Sequence, residues 1–165
     1  MRLVLDSAPI IFLGKIDKLT LLGRLFGHDI IMPRPVRDEI LPPAVAPDEE
    51  RRLATFLAVC RIVDPDRAET FARGLSRADN AILSLAKEHG ADFVLSDDRL
   101  IRRVAAVEGI RTLGTPGVLL RATKDELLTV RETEDLLSQL VRDHHFRIST
   151  AVYDAARTAI RSCGA

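Results

Sequence analysis

The chain has 165 residues, 47% hydrophobic and 29% charged, with a formal net charge of +0. That length fits one domain with a sizeable core, and the composition excludes a disordered chain. A neutral chain cannot hold nucleic acid by bulk charge, so any such contact must come from a local patch.

The elements follow in chain order. RLVL at residues 2–5 reads as a short buried strand. Asp6-Ser7-Ala8-Pro9 then opens a helix that Ser7 can cap, with Pro9 tolerated in the first turn. Residues 19–26 predict a second helix, stopped by Gly27. DIIM at 29–32 is the next strand, ended by Pro33. A helix over 34–41 is terminated by Pro42-Pro43, a loop follows at 44–47, and residues 48–59 carry helical periodicity. Arg61-Ile62-Val63 predicts a third strand, and a short helix is expected within 64–75. Ser76 opens a helix ending at Gly90, and Phe93-Val94-Leu95 is a buried strand. Asp97-Asp98 starts a helix ended by Gly109, and Arg111-Thr112-Leu113 is a last strand. Helices are expected at 115–123, about 132–143 and 149–161, forming a C-terminal helical extension from about residue 124.

Short strands alternating with helices imply βαβ crossovers. The expected fold is therefore α/β: a three-layer α/β/α sandwich around a parallel sheet of about five short strands, in one domain over 1–165.

In right-handed βαβ units, strand C-termini and helix N-termini share one edge of the sheet, where ligand sites form. Asp6 follows the first strand, and Asp97 and Asp98 follow the Phe93–Leu95 strand. Asp79 lies in the first turn of the helix opened by Ser76, and Glu39 lies in the helix after the second strand. Each acid also has a purely structural explanation. Asp6 could cap its helix, Ser76…Asp79 resembles a capping box, Asp97 or Asp98 could serve a helix dipole, and Glu39 could be a solvated surface acid. Two features favour a shared site. Glu39 borders the apolar face of Val36 and Ile40, and Asp79 shares a face with Ile82 and Ala86. Converging carboxylates repel, and a bound cation relieves that cost. An oxygen-only donor set fits Mg²⁺ or Mn²⁺, and the implied chemistry is metal-assisted phosphodiester hydrolysis.

These motifs resemble a known family. LVLDSAPIIFLGKI, MPRPVRDEIL, LSRADNAILSLA and VLSDDRLIRRVA look like the four acidic motifs of PIN-domain nucleases, the fold of VapC-type toxin ribonucleases. The tail GIRTLGTPGVLLRATKDELL followed by HHFRIST resembles a bacterial and archaeal PIN subgroup. The resemblance implies catalytic, metal-holding roles for Asp6, Glu39, Asp79 and Asp98, with Ser7 and Ser96 in support; it puts Asp97 at a variable position, and Asp97 is a further candidate ligand from its place on the acidic edge. It also implies Mg²⁺ or Mn²⁺ as cofactor and RNA as substrate. A small antitoxin protein is an expected partner if the chain is the toxin of a type II pair. The rival expectation is a non-catalytic PIN-like module that binds RNA or a protein.

Other residues add lesser expectations. No Gly-x-Gly-x-x-Gly or Walker loop is present, which excludes the common nucleotide-cofactor readings. Arg34, Arg37, Arg77, Arg99, Arg102 and Arg103 cluster in sequence near the acidic edge. They form either an RNA-binding rim, with Arg34, Arg77, Arg99 and Arg102 foremost, or a set of solvated helix positions. The apolar content of 10–27 and the C-terminal helices predict association, as a homodimer or with a partner. Cys60 and Cys163 form no Cys-x-x-Cys pair, which favours a reducing compartment. The N-terminal apolar stretch is broken by Asp6 and Pro9, too short for a signal peptide or membrane span. A cytoplasmic protein without membrane contact is expected.

Overall fold

The structure, a computed structural model, describes residues 1–40 and 46–164. Its centre is a sheet of five parallel strands: β1 (Arg2–Leu5), β2 (Asp29–Met32), β3 (Arg61–Ile62), β4 (Phe93–Leu95) and β5 (Thr112–Leu113). The strand order is β3-β2-β1-β4-β5. β1 is central, pairing Leu3 with Ile30 on one side and with Phe93 on the other. Leu3, Val4, Leu5, Ile31, Met32, Val94 and Leu95 are all fully buried. Continuous apolar runs suit strands covered on both faces, and these strands have that pattern.

The chain steps outward from β1 to β2 to β3, then crosses back to β4 and on to β5. The direction of winding therefore reverses between β1 and β4. Their carboxyl ends frame the crevice where open α/β sheets bind ligands.

Helices flank the sheet as expected. Among the described residues these are α1 (Ser7–Lys15), α2 (Thr20–Phe26), α3 (Arg34–Ile40), α4 (Pro47–Val59), α5 (Arg77–Glu88), α6 (Arg99–Val107), α7 (Thr115–Lys124), α8 (Val130–Asp143) and α9 (Thr150–Arg161). α5 lies against β1 and β4 and touches α6. A second group links α1 to α3, α4 and α7, and α2 to α7. α8 and α9 pack on α7 and on each other. The Pro42-Pro43 stop and the start of the expected loop at 44–47 lie outside the described residues, and Pro47 itself is the first residue of α4.

Three expectations need correction. Residues 64–75 contain no helix. Their amides are taken instead by α5: Asp66 and Arg67 N–H donate to the Glu88 carboxylate, Glu69 N–H to Ser84 Oγ and Phe71 N–H to Asn80 Oδ1. Asn80, Ser84 and Glu88 recur every four residues, so one face of α5 holds the segment as an open strap. Second, Asp6 rather than Ser7 is the N-cap of α1. Third, the apolar surplus of 10–27 is used inside the chain. Ile10, Leu13, Ile16, Leu19, Leu21, Leu22, Leu25 and Phe26 are all buried in the core, so the number of apolar residues in this stretch is not by itself an argument for association.

Candidate active site

Asp6 stands at the β1–β4 reversal. Its N–H donates to Leu95 O at 2.9 Å, which prolongs the sheet pairing by one step. Its side chain then turns into the crevice and is only 8% exposed. Oδ1 accepts from Ser7 N–H at 2.7 Å, and Oδ2 accepts from the Ser96 hydroxyl at 2.6 Å. Ser96 follows β4 and is fully buried. Its Oγ also accepts from Asp98 N–H at 3.1 Å, so one hydroxyl ties the first acid to the fourth motif.

Because Asp6 caps α1, the Ser7 hydroxyl is free to act elsewhere. It donates to Glu39 Oε2 at 2.9 Å, across from α3. Glu39 and the adjacent Asp38 are both exposed, but Asp38 pairs with Arg37 at 2.6 Å instead. The register of α3 explains the difference: Val36 and Ile40 are fully buried, and Glu39 borders their face while Asp38 does not. Glu39→Gln is therefore expected to remove most metal-dependent activity, whereas Asp38→Asn leaves it within a few-fold. Equal losses in a cleavage assay would show that the Ser7–Glu39 link has no part in the chemistry.

Asp79 is half-buried and closes a capping box with Ser76. Ser76 N–H donates to Asp79 Oδ2 at 2.7 Å, and Asp79 N–H donates to Ser76 Oγ at 3.1 Å. Asp98 is the exposed N-cap of α6, with Oδ1 accepting from Leu100 N–H at 2.7 Å and Ile101 N–H at 2.9 Å. Asp97 is held by Thr115, whose N–H and hydroxyl donate to its two oxygens at 2.7 and 2.6 Å. The approach is close: a Cβ on Gly114 would lie 2.8 Å from Asp97 Oδ1.

The electrostatics single out Asp6. Burial pushes its carboxyl up to about 6, against the opposing hydrogen bonds from Ser96 and Ser7. The Asp79 and Asp97 carboxylates raise it further. Asp97 is also raised by burial, which the Thr115 bonds and the nearby Arg102 partly offset. Asp6, Asp79 and Asp97 thus share one field, and Ser7 links Glu39 to it.

Among the described residues, no three carboxylate, imidazole or thiolate groups stand close enough to enclose a metal ion. The donor set nonetheless fits a hard dication. It is made of oxygen only, and Mg²⁺ is usually held by one or two carboxylates while keeping several waters. A buried carboxylate with acids on two sides is a place where positive charge is favoured.

The predicted arginines divide. Arg34 is tied to Asp64 at 3.4 Å, and Arg77 is exposed in the first turn of α5. Arg99 and Arg102 line a cavity beside Asp97. Sequence reasoning missed Thr115 and Arg147, which reach this region from other elements. The only sequence signal for Thr115 is its place directly after a strand and a glycine; Arg147 has none.

The family model described as a PIN domain matches residues 2–162. The chain belongs to the PIN-domain family. No curated protein matches it. PIN domains are generally nucleases and typically use divalent metals, so this fold is of a nuclease type and implies nucleic-acid binding. The crevice that holds Asp6 lies at the carboxyl ends of β1 and β4, where open α/β sheets bind ligands. Among the described residues no helix is long and apolar enough to cross a membrane.

Proposed function

We propose that this PIN domain is a metal-dependent endoribonuclease that hydrolyses RNA phosphodiester bonds. The observation that carries the reading is Asp6: a carboxylate buried at the sheet's reversal point, raised by burial and by two neighbouring acids. Maintaining that arrangement costs stability, and a cation offsets the cost. Asp6 would hold the ion together with one neighbouring carboxylate and several waters, and Glu39, Asp79, Asp97 and Asp98 are the candidates for that second ligand. When bound, Mg²⁺ or Mn²⁺ supplies Lewis acidity at the phosphodiester and lowers the pKa of an attacking water.

The chain's own residues do the positioning. Ser96 and the Ser7 N–H fix both oxygens of Asp6, so its orientation does not have to be found during the reaction. Ser7 Oγ aims Glu39 toward the same crevice. The Ser76 N–H holds Asp79 Oδ2. RNA rather than DNA is supported by the likeness of the four motifs to VapC-type ribonucleases. That likeness also supports a toxin role, with a small antitoxin as partner; the unpaired cysteines support a cytoplasmic location, and a homodimer or a partner complex through the C-terminal helices is part of the same proposal. Growth arrest on induced expression, relieved by Asp6→Asn, is the expected sign of a toxin.

The direct test incubates purified chain with a mixed RNA pool, with Mg²⁺ or Mn²⁺ and with chelator. Cleavage is expected only with metal, and Mn²⁺ titration calorimetry is expected to show binding that Asp6→Asn abolishes. Cleavage that persists in chelator would overturn the metal assignment.

A further inference from the structure

A cavity of about 620 Å³ opens next to the acidic site, with Asp97 on the border between the two. Its lining includes Arg99, Arg102 and Arg103 from α6, and Arg147 from the segment between α8 and α9. All four are exposed. Among the described residues their guanidinium groups make no ion pair and no hydrogen bond, whereas Arg2, Arg34, Arg37, Arg111, Arg157 and Arg161 are each paired with a carboxylate. The one carboxylate in the lining is Asp97, and both its oxygens already accept from Thr115. The cavity therefore has a surplus of positive charge directly beside the acidic site.

Arg147 is held in place by its neighbour. Phe146 is 6% exposed, its N–H donates to Leu140 O at 3.0 Å, and its ring meets Phe12 edge-on at 4.8 Å. His145 turns the chain into this position with φ of 55°. The HHF sequence thus acts as a fixed corner that presents Arg147 across from α6. Because the Phe146 ring is buried against Phe12, it is not a stacking platform for a base. Guanidinium forks match phosphate oxygens bidentately and carry no base preference of their own.

We propose that this cavity is a phosphate subsite, in which Arg99, Arg102, Arg103 and Arg147 grip the backbone of the RNA strand next to the bond being cut. The identity of the anion as RNA rests on the proposed ribonuclease reading. The subsite is indifferent to base identity, and the C-terminal segment completes it.

The test is binding of labelled 12-nucleotide oligo(U) and oligo(A) to the full chain in chelator, by fluorescence anisotropy over a salt series. Arg102→Ala/Arg147→Ala is expected to weaken both probes at least tenfold at low salt. Its slope of log affinity against log salt should become shallower by about 1.4, because each arginine that neutralises a single-strand phosphate adds about 0.7 to the slope. Arg102→Lys/Arg147→Lys should keep most of the slope and recover only part of the affinity, because charge remains while the fork is gone. Arg24→Ala removes an exposed arginine in a separate cavity and should stay within twofold of the parent. Unchanged binding by the alanine double variant overturns the subsite, whether or not the parent cuts RNA. A loss confined to one oligomer, or equal displacement of RNA by polyglutamate, also overturns it. Arginine-dependent binding by a parent that cuts no RNA would leave the subsite standing and remove the ribonuclease reading.

Discussion

Asp6→Asn is expected to abolish metal-dependent RNA cleavage and, at the same time, to make the folded chain more stable at pH 7. The two effects have one cause. In the folded chain the Asp6 carboxyl is raised from 3.8 to about 6. The folded state therefore holds this proton more tightly than the unfolded state does. Stability from the protonated form is fully present below about pH 4 and is lost as pH rises through about 6. Above that range the buried charge costs about 3 kcal/mol, since each tenfold gain in proton affinity corresponds to about 1.4 kcal/mol. Asn is neutral and nearly isosteric. Its carbonyl can accept from Ser7 N–H, and its amide can donate to Ser96 Oγ. Urea unfolding at pH 5 and pH 7 checks this: the variant's advantage should grow by about 1 kcal/mol over that interval, as the parent's carboxyl gives up its proton. Adding Mg²⁺ should narrow the gap, because an ion that binds only the folded parent stabilises it by mass action. A variant less stable than the parent at pH 7 would mean that the hydrogen bonds to the Asp6 carboxylate outweigh the cost of burying its charge.

The fold was legible where one signal dominated. LVL, IIM and FVL are apolar without alternation and bounded by turn signals, which fits short strands buried on both faces. The acids were legible as members of one edge, since strand ends and helix starts must share it. Their grouping was not. Which strands are neighbours is a long-range property, and the adjacency of β1 and β4 that brings Ser96 to Asp6 crosses 90 positions of chain. Local chemistry also misled. Ser7 is a good capping residue, but Asp6 stands one position earlier in an extended conformation and takes the role. The composition of 64–75 permits a short helix, yet the side chains of Asn80, Ser84 and Glu88 compete for its amides and win. Capping and catalysis draw on the same residue types. Asp79 and Asp98 both form the caps that their sequence contexts suggest, and that leaves one oxygen of each without a capping bond.

That overlap bears on the fourth acid. The motif resemblance assigns it to Asp98, while the geometry favours Asp97. Asp98 Oδ1 serves two amides of α6, and its side chain is exposed. Asp97 contributes to the field that raises Asp6. It is also built in: Thr115 holds both oxygens, and Gly114 leaves room for Oδ1 where a Cβ would stand 2.8 Å away. Asn is as good an N-cap as Asp, so Asp98→Asn should keep α6 intact and keep cleavage within a few-fold of the parent. Asp97→Asn removes a charge from the field around Asp6, and cleavage should fall by about a hundredfold or more, comparable to losing a preorganised catalytic group. Activity alone would not separate a metal ligand from a merely structural acid, so the second readout is the Asp6 carboxyl itself. Its pKa, followed by carbon NMR without metal, should drop in Asp97→Asn and stay put in Asp98→Asn, because of these two acids it is Asp97 whose charge raises Asp6. If Asp98→Asn instead removes the activity while Asp6 still titrates as in the parent, the oxygen of Asp98 outside the cap is the one that meets the ion. Asp97 would then be the structural member of the pair, anchoring the start of α7 through Thr115.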